Sequence, residues 1–171
     1  ETSSDGLTFI FKLREDVTFS DGVPLTAEDV AFSFAFIMKE EIAATRSRSY
    51  YEKMRAVTAK DKYTVEFVFK EPYFEALDLA GGMDIMPKHV YEQYLNKPEV
   101  FNQSKAILLG SGPDKLPEGT DWTPDKGTVE LVRNDRYWGD VPPTFNRLLW
   151  RIIKNDSARL TTYRNGEIDN Y

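Results

Sequence analysis

The chain has 171 residues, 41% of them hydrophobic and 29% charged, with a formal net charge of -6. That is enough polypeptide to bury a core in one domain or two small ones. The acidic balance excludes a nucleic-acid partner, because phosphates require clustered Lys and Arg. The absence of cysteine excludes disulfides, thiolate metal sites and a Cys nucleophile. No apolar run approaches the roughly 20 residues needed to cross a bilayer as a helix.

In chain order, Leu7 to Arg14 alternates as a strand, with Phe9, Phe11 and Leu13 on one face. Val17 to Ser20 reads as a short partner beside the Asp21-Gly22 turn, where Asp can bond its own backbone and Gly tolerates positive φ. Pro24 leads into Thr26-Ala-Glu-Asp29, a capping-box-like start. The helix it opens, Ala27 to Lys39, carries an apolar stripe of Ala27, Val30, Ala31, Phe34, Ile37 and Met38, which is core packing. Glu40 to Tyr51 is polar and irregular and is expected to be exposed. Met54 to Ala59 and Tyr63 to Lys70 form a hairpin around Asp61-Lys62. Short helices are expected at Tyr73 to Ala80 and, after Pro87, at Lys88 to Leu95.

A compositional boundary falls near Leu109. A Gly- and Pro-rich passage begins at Gly110-Ser-Gly-Pro113 and runs through Pro124 to Gly127. Strands follow at Thr128 to Arg133 and Arg147 to Lys154, with Tyr137-Trp138-Gly139 and Pro142-Pro143 turning between them. Asp156 is expected to cap a helix that Gly166 stops in the left-handed region. The chain begins at Glu1 without Met or a signal peptide. Gly166 to Tyr171 reads as a strand starting, so both ends read as cuts through a longer protein.

No motif carries catalysis. His89 is the only histidine and reads as a surface residue in a helix first turn. Gly110-Ser111-Gly112 lacks the Lys-Ser/Thr of a phosphate loop and the first Gly of a nucleophile elbow. The carboxylate pairs Glu28/Asp29, Glu40/Glu41 and Glu167/Asp169 read as surface or capping groups; adjacency does not create a glycosidase pair. Tyr50, Tyr51, Tyr73, Tyr137 and Trp138 are irregularly placed and could line a cleft, with a core or turn role as the default. No metal set and no cofactor is indicated.

Taken in order, several segments resemble the family 5 solute-binding proteins of ABC importers, the oligopeptide/dipeptide group. They are Thr8-Phe-Ile-Phe-Lys-Leu-Arg14, Val17-Thr-Phe-Ser-Asp-Gly22 through Pro24-Leu-Thr-Ala-Glu-Asp-Val30, Val57 to Phe67, Met86-Pro-Lys-His89, Gly110 to Pro113, Arg133-Asn-Asp-Arg-Tyr-Trp138 and Gly166-Glu-Ile-Asp169. Asp114 departs from the family's usual aromatic, which puts the path of Ser111 to Lys126 outside the pattern. The resemblance implies an α+β fold with mixed sheets and flanking helices: part of the first lobe of a type II periplasmic binding protein. Residues 1–108 would be its additional subdomain and 109–171 part of its main subdomain, with a second lobe lying elsewhere.

It further implies a non-enzymatic protein, periplasmic or extracellular, with a lipid anchor as an option for the full-length form. Its partners would be a peptide ligand and an ABC permease in the inner membrane. Arg48, Tyr50, Tyr51, Ser111 and Gly112 are the ligand-facing positions the resemblance suggests. Alternative cargoes are a nickel complex, a sugar or a peptide-like antibiotic; a carboxylate-dependent hydrolase using Glu167 is the reading from another class. The strands at Thr128 to Arg133 and Arg147 to Lys154 are expected to leave open edges, through which the chain would self-associate.

Overall fold

The structure is a computed structural model and describes residues 1–103, 109–120 and 127–170. The α+β class holds, and every described strand pairing is antiparallel. Strand β1 (Thr8–Lys12) pairs with β3 (Thr64–Phe69), which also pairs with β2 (Met54–Asp61), giving the order β1-β3-β2. Alternation decides which face is buried: Val65, Phe67 and Phe69 point into the core, each at most 2% exposed. Phe9 joins them edge-to-face on Phe69, with ring centroids 5.5 Å apart. The outer edge of β1 is blunted by the N-terminal segment, where Glu1 and Ser3 exchange backbone bonds with Ile10 and Thr8.

Helix α1 (Ala27–Met38) lies on this sheet, burying Ala27, Val30 and Ile37 against it. Its other side supports a second apolar cluster in which Phe36, Tyr91 and Phe101 stack edge to face. Phe101 comes from α5 (Pro98–Gln103), a helix absent from the expectation because its single apolar pair, Val100 and Phe101, has no period to detect. The expected helix at Lys88 to Leu95 forms as α4 (Lys88–Tyr91), continued by a 3-10 turn at Glu92–Tyr94. Helix α3 (Ala76–Gly81) starts three residues later than Tyr73. Val17 to Ser20 is no sheet strand. It bridges back to Val23–Leu25 across the Asp21-Gly22 turn.

The expected exposed stretch before Tyr51 is corrected. Thr45–Tyr51 is helix α2, and Tyr51 is buried in the main core. The second sheet is β4-β5-β6, from β4 (Asp114–Lys115), β5 (Thr128–Arg133) and β6 (Arg147–Arg151). β5 is therefore central and has no open edge; β6 is an edge strand. Helix α6 (Asp156–Arg164) is capped by Asn155, not Asp156: the Asn155 amide oxygen accepts Ala158 N–H at 2.9 Å, while Asp156 occupies the first turn. Gly166 does stop it, at φ 72°. Glu167 to Asn170 forms no strand, and Tyr171 lies outside the described residues. So do residues 104–108, across which the compositional boundary falls, and Asp121 to Lys126 of the Gly/Pro-rich passage with Pro124.

Candidate functional site

The segment richest in family signature is a structural knot. In the Asp21-Gly22 turn, the Asp21 carboxylate accepts Val23 N–H at 3.0 Å, and Gly22 sits at φ 93°. A Cβ at Gly22 would lie 3.3 Å from the guanidinium carbon of Arg136, so the position also accommodates a close approach. The second Asp21 oxygen meets His89 Nε2 at 2.7 Å. Burial opposes ionisation of Asp21 as the largest single influence. The bond and charge of His89 and the Val23 N–H together outweigh it and hold the carboxyl below its ordinary value. His89 is thus exposed, as expected, but fastens α4 to the turn, and its ring lies 5.9 Å from Phe19.

Asp29 ties two helix starts together. One oxygen accepts Thr26 N–H at 2.9 Å and the Thr26 hydroxyl at 3.0 Å; the other accepts Lys88 N–H at 2.9 Å. One turn on, the Ser33 hydroxyl donates to Asp29 C=O and accepts Met86 N–H, both at 2.7 Å. Glu28 pairs with Lys88 Nζ at 2.8 Å on the surface. Beside them Val23, Pro24, Glu92 and their neighbours border an open groove of about 320 Å³, but the polar groups at its floor are already bonded to one another.

The second bracket joins the two sheets. Asn134, 1% exposed, donates its side-chain N–H to Gly112 C=O and its backbone N–H to Pro113 C=O, both at 2.8 Å, and its amide oxygen accepts Arg136 N–H at 3.1 Å. Gly110 C=O accepts Ser20 N–H at 2.9 Å, and the Arg14 guanidinium lies 5.3 Å over the Trp138 ring. Gly110 to Pro113 and Arg133 to Trp138 are therefore one structure. Sequence reading quoted both segments but missed Asn134, whose only local signal was its place after a strand and before an aromatic pair.

The five suggested ligand positions fall into two groups that no hydrogen bond or ring contact joins among the described residues. Arg48 is half-buried; its Nε donates to Ile37 C=O at 3.2 Å, and Nη2 donates to the carbonyls of Lys39 and Ile42. It closes the C-terminal end of α1, where carbonyls lack helical partners. Tyr51 is 8% exposed, and burial pushes its phenol up, helped by the charge of Asp84 and opposed by an Asp84 backbone bond. Tyr50 is 53% exposed. Ser111 and Gly112 are half-buried in the turn, and the Ser111 hydroxyl has no hydrogen-bond partner among the described residues.

The acids considered for hydrolysis are held in ion pairs, Glu28 with Lys88 and Glu167 with Arg151 at 3.6 Å. Among the described residues no three His, Cys, Asp or Glu side chains group as a metal site. What the fold and its brackets define is a binding scaffold. Residues 1–171 match the family described as bacterial extracellular solute-binding proteins, family 5 middle, and the chain belongs to that family, whose members bind solutes and are not enzymes.

It is 34% identical over 172 residues to Protein XP55 of Streptomyces lividans, covering 99% of this chain and 29% of that protein. It is 31% identical to the oligopeptide-binding protein AppA of Bacillus subtilis, covering 96% of this chain and 30% of that protein. The solved structure of that AppA with a nonapeptide superimposes with TM-score 0.78 at 27% identity, over 98% of this chain and 32% of that one. NikZ from Campylobacter jejuni, in complex with Ni(L-His), superimposes with TM-score 0.80 at 27% identity, again over 98% and 32%. The chain spans about 30% of the length of the curated relatives it matches.

Proposed function

We propose that this chain is part of the substrate-binding component of an ABC importer, which binds peptides outside the cytoplasmic membrane and passes them to a permease in the inner membrane. The observation that carries the reading is the alignment with an oligopeptide-binding protein over 96% of the chain. A periplasmic or extracellular location goes with it, and a lipid anchor suits the full-length form. The two separate sheets support a division into an additional subdomain, 1–108, and part of a main subdomain, 109–171, bracketed by Asn134 and Arg136.

Of the suggested ligand positions, Tyr50 and Ser111 keep a free side chain for cargo, and Gly112 positions the turn. Arg48 and Tyr51 support them from the core. Hinge closure over the peptide would then shift the protein toward a closed population. Isothermal titration with peptide mixtures tests this: a family-length protein containing this chain binds, and the 171-residue chain alone binds little. Tight binding by the chain alone would contradict the division of labour. The Ni(L-His) complex of NikZ favours a second reading, a chelated nickel cargo. Mass spectrometry of the ligand that co-purifies with the family-length protein separates the two.

A further inference from the structure

Every buried hydrophobic side chain of the described residues lies between Phe9 and Tyr91; the second sheet contributes none. Yet one face of that sheet is wholly apolar. The register sets Val129 opposite Trp150 and Leu131 opposite Leu148, and directly opposed residues share a face. None of these four belongs to a core cluster, and Trp150 is 60% exposed. Ile152, next on that side, is 44% exposed, and Phe145, leading into β6, is 64% exposed. The opposite face carries the Arg147–Glu130 ion pair at 2.7 Å and Arg151 with Glu167, so the sheet is amphipathic with its apolar side uncovered. Helix α6 does not cover it by any extensive packing.

We infer that this face, with the adjoining β6 edge, is the docking surface for the remaining polypeptide of a family-length protein, which lays an apolar segment over Leu148, Trp150 and Val129. The relatives are about three times the length of this chain, so the covering mass is available within one molecule. A second copy fits less well. Antiparallel pairing of two β6 edges centred on Leu149 sets Arg147 against Arg151 of the other copy, and like charges directly opposite destabilise a ladder. Basic residues on an edge strand are a known guard against such pairing. The inference rests on family membership and not on the cargo, so a failed peptide titration leaves it standing.

Hydroxyl-radical footprinting read by mass spectrometry tests it residue by residue. In the dilute 171-residue chain, Trp150 and Phe145 are labelled strongly. In a family-length polypeptide containing the chain their labelling falls severalfold, while Phe74, 90% exposed and on the first unit, is labelled in both. Equal labelling of Trp150 in both overturns the inference. So does protection that appears in the 171-residue chain as its concentration rises together with a doubled mass, which would make a second copy the occupant. Trp150→Ser gives an independent readout: it leaves the melting temperature of the 171-residue chain nearly unchanged and lowers that of the family-length protein by several degrees.

Discussion

Asp29, 6% exposed, stands between the first turns of α1 and α4 and accepts from Thr26 N–H, the Thr26 hydroxyl and Lys88 N–H. Removing it leaves two backbone donors without partners in a closed space. Asp29→Ala should therefore cost on the order of 3 kcal/mol in urea unfolding, with Asp29→Asn recovering part of it through the remaining amide oxygen. Asp21 answers to pH. Its folded carboxyl lies below the ordinary value, so it binds protons less readily folded than unfolded. The stability it contributes is present above about pH 4, where the unfolded carboxyl is ionised, and is lost as pH falls through the depressed folded value. The gap in urea midpoint between the native chain and Asp21→Asn should thus be present at about pH 5 and close at lower pH. A gap that widens on acidification would reverse the assignment. The Asp21-Gly22 turn and the start of the helix were legible in the sequence because turn chemistry and capping are local. That Asp29 also serves Lys88, 59 residues on, was not.

Helix α1 and the β2–β3 hairpin were readable because twelve and fourteen residues of strict periodicity leave little choice of face. Helices α2 and α5 were not, since their short segments are stabilised by contacts from elsewhere: Arg48 against the end of α1, Phe101 against Phe36 at 5.0 Å. Helix α6 is the reverse case, legible from sequence yet packed extensively against no other described element. Its stability is thus largely its own, so its cap counts for more. Asn155→Ala should cost α6 about 1 kcal/mol of local stability. Hydrogen exchange should show it as faster exchange confined to Ala158 through Arg164, with α1 amides unaffected. An equal rise in α1 would mean the helix is coupled to the core.

At the scale of the whole molecule, the first unit holds all the described buried hydrophobic side chains and the second is held by polar brackets: Asn134 with the Gly110–Pro113 turn, Ser20 with Gly110, and Arg14 over Trp138. Burial of apolar surface dominates stability, so the two units should open at different free energies. Native-state hydrogen exchange in rising urea should release β5 amides well before β3 amides. A single coincident transition would show that the brackets couple the sheets more strongly than their burial implies.

The sequence by itself determined the family, the α+β class and most of the first unit, because local periodicity, turns and caps decide those and they lie close together along the chain. It also determined that no reacting constellation is present in its motifs, since the histidine, glycines and paired acids each lacked a required neighbour. Only the tertiary structure decided what the signature residues do. Asp29, Ser33, His89 and Asn134 are joined to partners 22 to 68 residues away, and such contacts leave no trace in spacing. It decided equally that β5 is central, β6 an edge, and that the apolar face of Leu148 and Trp150 is uncovered, because register and layer order are properties of assembled strands rather than of any one of them.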